Sequence, residues 1–278
     1  MNLPIEIIDI IFLYTEDLEL LCKLKKEYLI RKIYKQNYHT YTWACDHGHL
    51  SVVKWLHKNK IPCSQWAMDF AASQGHLDVV KWLHYHRTEG CSDYAMDLAA
   101  SNGFLDVVKW LHYNRTEGCT KSAMDFAASN GYLDIVKWLH YNTTNGCTTD
   151  AMDFAAENGY LDVVKWLHHN RLEGCTTDAM DGAAQNGYLH IVKWLHDNRR
   201  EGCTTEAIDS AAESGHLRVV QWLHYNRYEG CTTEAIHWAY VNGHYHVVKW
   251  LHFNTTYDLS CPYSCDELDC PYRYDYFL

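Results

Sequence analysis

Histidine, cysteine and aspartate recur in this chain at a fixed spacing, and each residue type could do chemistry. Eight of the 19 histidines close a Trp-Leu-His triplet: His57, His84, His112, His140, His168, His196, His224 and His252. Seven of the 12 cysteines hold one place in successive copies of a repeated segment: Cys63, Cys91, Cys119, Cys147, Cys175, Cys203 and Cys231. Asp69, Asp97, Asp125, Asp153, Asp181 and Asp209 form a third row, which His237 interrupts. Imidazoles and thiolates bind zinc, thiols pair as disulfides, and adjacent carboxylates do acid–base work. All of these need the groups to converge. Zinc holds its ligands at about 2 Å, whereas equivalent residues of stacked helices stand roughly 8–10 Å apart. That spacing also exceeds what a disulfide tolerates. The cysteines therefore read as reduced, buried, small apolar side chains, and the aspartate row reads as structural. For the histidine row two readings stand. One is hydrogen bonding to free carbonyls near the end of its own helix. The other is a row whose charging in mild acid loosens the stack.

Cys261, Cys265 and Cys270, with His252, are the remaining ligand set, but C-x3-C-x4-C is not a common zinc spacing. No glycine-rich phosphate loop and no nucleophile elbow occurs. The expectation is a protein with no catalytic residues, no metal and no cofactor.

The elements that carry these rows follow from the tryptophans. Trp55, Trp82, Trp110, Trp138, Trp166, Trp194, Trp222 and Trp250 return after 27 and then every 28 residues. Periods of this length signal stacked units that bury their apolar faces only against their neighbours. Each unit parses into two helices. The first, helix A, opens at Ser64, Ser92, Thr120, Thr148, Thr176, Thr204 or Thr232, hydroxyls able to accept from the free amides of the first turn. Cys147 and Met152 flank such a start as a hydrophobic staple, and Asp150, Asp178, Glu206 and Glu234 suit the helix dipole. Gly159 fits the stop. Helix B follows with Leu161, Val163, Val164, Trp166 and Leu167, an apolar arc wide enough to require burial between neighbours. The glycine row that ends the next loop, Gly174 among them, fits a positive-φ turn.

Three segments result: residues 1–37, a helical N-terminal cap; 38–254, eight repeats; and 255–278, a half-repeat closing the stack. The fold class expected is all-α, a solenoid of helix-turn-helix units. A net charge of −11 over 278 residues disfavours nucleic acid and anionic membrane as partners. No apolar run is long enough to span a bilayer, and Glu6 and Asp9 within the first apolar run disfavour a signal peptide. Reduced thiols suit a cytoplasmic or nuclear compartment.

At Ala71, Ala72, Gly75, His76, Leu77, Val79, Val80, Lys81 and Leu83 the chain resembles the second half of an ankyrin repeat, and Ala151–Ala156 falls where that family has its P-L-H-x-A-A run. The resemblance covers residues 39–254. It implies protein–protein binding without catalysis, with helix A lining a concave face. Ankyrin units run to about 33 residues, so the units here leave no room for long β-hairpin fingers. In this they resemble the short ankyrin-like repeats of giant DNA viruses, which would make this a viral protein of host–virus interaction. Leu3, Pro4, Glu6, Ile7 and Ile11 resemble the LPxEIxxxI opening of an F-box. That likeness implies docking on a Skp1-type adaptor and substrate recruitment to a ubiquitin ligase. A simple cap is the alternative.

One row remains for binding: Phe70, Leu98, Phe126, Phe154, Gly182, Ser210 and Trp238. At about 100° per residue, Phe154 stands about 200° round helix A from Met152. Met152, Ala155 and Ala156 share the core face, and Phe154 points away, beside Asp150 and Glu157. Two readings stand: an apolar strip rimmed by acid that binds a protein, or aromatics packed between adjacent A helices. On the first reading Gly182 and Ser210 leave a notch for a partner's side chain.

Overall fold

The computed structural model describes residues 38–255. The F-box-like residues Leu3, Pro4, Glu6, Ile7 and Ile11, the closing half-repeat and Cys261, Cys265 and Cys270 lie outside the described residues. Within them every element is an α-helix and no strand occurs. The chain divides into two compact units.

The first unit comprises described residues up to 124 together with 138–145. It holds α1 (Tyr38–Asp46), α2 (Leu50–Lys58), α3 (Trp66–Ser73), α4 (Leu77–His86), α5 (Tyr94–Ser101) and α6 (Leu105–Asn114). The boundary falls within α7 (Ser122–Ser129) and α8 (Leu133–Asn142). The second unit, 125–137 and 146 onward, holds α9 (Asp150–Glu157), α10 (Leu161–Asn170), α11 (Asp178–Gln185), α12 (Leu189–Asn198), α13 (Glu206–Glu213), α14 (Leu217–Asn226), α15 (Thr233–Val241) and α16 (Tyr245–Asn254).

Odd-numbered helices are the A helices and even-numbered ones the B helices. In the first unit α3 packs broadly on α1 and on α5; in the second, α11 packs on α9 and α13, and α15 on α13. Successive B helices touch over a narrower strip. The reason is side-chain size. In α9, Ala151, Met152, Ala155 and Ala156 are all buried. Three alanines on one face let helix axes approach closely, and the methionine fills the gap between them.

Each helix A is only two turns long, and its stop is built into the backbone. Gly159 takes φ +89°, and the Tyr160 amide turns back to donate to the Ala155 carbonyl at 2.8 Å. A side chain at 159 would be strained by that φ, and its Cβ would stand 2.8 Å from the Tyr188 ring of the next hairpin. That ring thus sits in the space the glycine leaves. In α10 the buried residues are Val163, Val164 and Leu167, whereas Leu161 and Trp166 stay half-buried. The apolar arc of helix B is therefore narrower than its sequence suggests, because the indole lies along the edge of the stack.

The tryptophans nevertheless recur in equivalent slots. Trp82, Trp110 and Trp138 in the first unit and Trp194, Trp222 and Trp250 in the second each meet the triplet histidine of the preceding hairpin edge-on, with ring centres 5.1–5.2 Å apart at 84–89°.

Candidate functional site

The outward row of helix A is solvent-facing. In the first unit Phe70 is 39% exposed and Leu98 half-buried; in the second Phe126 is 45%, Phe154 39% and Trp238 41% exposed, with Gly182 and Ser210 half-buried. On the same helices the alanines and the methionine or isoleucine are buried. The phenylalanines are thus far more exposed than the alanines and methionines of the same helices.

The notch expected at Gly182 is not there. A Cβ built at Gly182 would lie 2.9 Å from Glu157 Cβ and 3.0 Å from its Cγ. The stem of Glu157 fills the place, so the glycine serves the packing of α11 on α9. Ser210 leans on its own helix, its hydroxyl 3.5 Å from Glu206.

Two residues that sequence reasoning missed complete the strip in the first unit. Trp66 and Tyr94 are 46% and 54% exposed and stack on each other at 6.1 Å and 30°, and Trp66 also meets Phe70 at 6.4 Å. They stand four residues before Phe70 and Leu98, one helical turn away on the same face. The corresponding positions in the second unit are Asp150, Asp178, Glu206 and Glu234, all exposed. Reading that column alongside the phenylalanine column would have found them.

The aspartate row is a set of rungs between hairpins. Asp69 accepts from Ser92 and Asp97 from Thr120 in the first unit; Asp125, Asp153, Asp181 and Asp209 accept from Thr148, Thr176, Thr204 and Thr232 in the second. In each rung one carboxylate oxygen takes the backbone amide at 2.8–2.9 Å. The other takes the hydroxyl at 2.5–3.0 Å. That hydroxyl in turn accepts from the amide two residues on, at 3.1–3.3 Å, at the start of the next helix A. The predicted hydroxyl is itself the capping residue at α15, where Thr232 accepts from the Glu234 amide; α3, α5, α9, α11 and α13 open one residue later, after Gln65, Asp93, Thr149, Thr177 and Thr205, whose side chains make no cap bond. Asp153 is 5% exposed. Burial raises its carboxyl to about 6 against the opposing bonds from Thr176. Burial likewise raises Asp69, Asp97, Asp181 and Asp209. Every oxygen is occupied by the fold, so the row is no acid–base pair.

Family comparison agrees with this geometry. A profile described as ankyrin repeats (many copies) matches residues 41–84, 68–112 and 208–252, and one described as ankyrin repeats (3 copies) matches 95–181. Together they span more than half of the chain. The chain belongs to the ankyrin-repeat family. No curated protein matches it. Ankyrin repeats suggest a protein-interaction scaffold.

The loops between these ankyrin repeats hold a second bridge that sequence reasoning overlooked. Arg87, Arg115, Arg171, Arg199 and Arg227 each pair with a glutamate two residues on: Glu89, Glu117, Glu173, Glu201 and Glu229. The guanidinium Nε also donates to the carboxylate at 3.1–3.2 Å. Burial alone would raise Glu173, but Arg171 and backbone amides outweigh it and hold the carboxyl at about 2. The recurring spacing R-x-E-G-C was the available signal.

This pair corrects the reading of the histidine row. Arg87, Arg115, Arg199 and Arg227 donate to Nδ1 of His57, His84, His168 and His196 in the preceding repeat at 3.3–3.5 Å. Arginine only donates, so Nδ1 is the acceptor in these contacts. The carbonyls assigned to these histidines are capped instead by asparagines and by His86: Asn114 Nδ2 donates to Trp110 O at 2.8 Å and Asn170 to Trp166 O at 2.8 Å, and His86 Nδ1 lies 2.8 Å from Trp82 O. The histidine lies too far round the helix and faces the next repeat. Threonine stands in the arginine's place at Thr143 and at Thr255. Opposite His112 the loop carries Thr143 and Asn145, which bond the carbonyls of Leu139 and Cys119.

Cys91, Cys119, Cys147, Cys175, Cys203 and Cys231 are free and buried, and burial pushes their thiols up to about 11–12. Thiols so protonated are poor nucleophiles and metal ligands. Among the described residues no three His, Cys, Asp or Glu gather as a metal site, and no helix is long and apolar enough to cross a membrane.

Proposed function

We propose that this chain is a non-catalytic scaffold that captures a protein partner on its helix-A face. One observation carries the reading: Phe70, Phe126, Phe154 and Trp238 are turned to solvent, with Trp66 exposed beside Phe70, on helices whose alanines and methionine or isoleucine are buried. Exposed aromatics rimmed by polar residues are the composition of an interaction surface. Leu98, Gly182 and Ser210 belong to the same row, with Gly182 setting helix spacing. A photo-crosslinking amino acid at Phe154 should capture a protein in cells, and one at His169 on α10 should not. Phe126→Ser with Phe154→Ser should abolish capture and leave the melting temperature within a few degrees. A large drop in stability would show that the rings serve packing.

A second reading rests on Leu3, Pro4, Glu6, Ile7 and Ile11, whose spacing resembles an F-box. Residues 1–37 would dock a Skp1-type adaptor while the repeats present a substrate, as in the F-box and ankyrin proteins of giant viruses. Capture of a purified Skp1-type adaptor, lost on deletion of residues 1–36, is the expected result. A cytoplasmic or nuclear setting suits the buried, reduced thiols.

A further inference from the structure

The helix-A face of the second unit is not only apolar but of one charge sign. Helices α9, α11, α13 and α15 carry no lysine or arginine. Asp150, Asp178, Glu206, Glu213 and Glu234 are exposed on them, and Glu157 is half-buried. The cations of this unit lie elsewhere. Lys165, Lys193, Arg218 and Lys249 are on the B helices. Arg171, Arg199 and Arg227 are held in the loops by their glutamates, beside the exposed loop residue Arg200. Among the described residues of this unit the acidic helices thus carry no lysine or arginine of their own, and Phe154 and Trp238 stand exposed on them.

We infer that the partner segment seated on this face is cationic, with lysine or arginine interleaved with aliphatic side chains; the inference rests on the helix-A reading given above. Carboxylates on successive A helices recur at about 10 Å. That is too far to share a divalent cation, whose oxygen ligands lie at about 2.0–2.6 Å. It suits separate side chains of one polypeptide, each meeting one carboxylate, while the aliphatic residues between them cover Phe154 and Trp238. Nucleic acid and anionic lipid carry the same sign as the face and are repelled. The gain falls chiefly on encounter rate and on discrimination between partners, because exposed ion pairs are individually weak.

The test uses the full chain and two fluorescein-labelled 15-residue peptides, five repeats of Lys-Leu-Ala and five of Glu-Leu-Ala, read by anisotropy in 50 and 200 mM salt. The lysine peptide should bind, more weakly at the higher salt, and the glutamate peptide should not. Asp178→Lys with Glu206→Lys should weaken binding about tenfold or more, whereas Lys193→Glu with Arg218→Glu should leave it unchanged. Melting curves confirm that both variants fold. Failure of the lysine peptide to bind overturns the inference, as does equal weakening by the two variants. If the glutamate peptide binds and Phe154→Ser abolishes that binding, the charge inference falls and the helix-A reading stands. If only the B-helix variant alters binding of the lysine peptide, both fall.

Discussion

Asp153 offers the sharpest test of how the hairpins are joined. Its carboxylate accepts the Thr176 amide at 2.8 Å and the Thr176 hydroxyl at 3.0 Å, and it is 5% exposed. Burial raises it from its ordinary 3.8 to about 6. A pKa raised on folding means the folded state binds the proton more tightly. The contribution to stability is fully present below about 3.8 and is lost as pH rises through about 6. A shift of roughly two units corresponds to about 3 kcal/mol. Asp153→Asn keeps the shape and both bonding positions, since its oxygen can take the amide and its NH2 can donate to the hydroxyl. It removes the cost of a buried charge. Asp153→Asn should therefore stabilise the protein at pH 7.5 by up to about 3 kcal/mol and leave it nearly unchanged at pH 4. Asp153→Ala removes both bonds and should destabilise by about 1–3 kcal/mol at either pH. Urea denaturation followed by tryptophan fluorescence at the two pH values measures all three proteins. If Asp153→Asn loses as much stability at pH 7.5 as Asp153→Ala, the ionised carboxylate is a net gain and the reasoning fails.

The arginine clasp makes two further predictions. Burial, Arg199 and His169 together hold His168 below the usual imidazole value. A depressed histidine stabilises the fold while neutral, so that contribution is lost as pH falls below about 6.5; Arg199→Met should raise the His168 titration midpoint, read from its ring proton by NMR. Opposite His112, Thr143→Arg with Asn145→Glu should place a guanidinium against the imidazole and raise the melting temperature by a few degrees, a gain of about 1 kcal/mol. The converse pair, Arg227→Thr with Glu229→Asn, should lower it by a similar amount, and no change in either scan would reduce the clasp to a surface ornament.

The sequence alone determined the repeating helical hairpin. Its evidence is local and repeated: a hydroxyl before each helix A from Ser64 on, a glycine at each stop, and Ala-Met-x-x-Ala-Ala set at helical spacing in five units. Such signals need only the backbone of one unit. For the same reason it told which side of helix A carries Phe126 and Phe154, since angular position on a helix is fixed by residue number. What the sequence could not supply was the partner of Asp153 or of His168, because those partners lie 23 and 31 residues away in the neighbouring hairpin. Asp153 could be named as one of a row, but only the stacking places Thr176 against it. His168 was assigned to a carbonyl of its own helix, and the fold turned it to Arg199 instead. Gly182 looked like an empty place in the list of residues, yet in three dimensions an absent side chain is filled by whatever lies beside it, here the stem of Glu157. Periodicity fixes what each repeat is, and packing decides what each repeat does to the next.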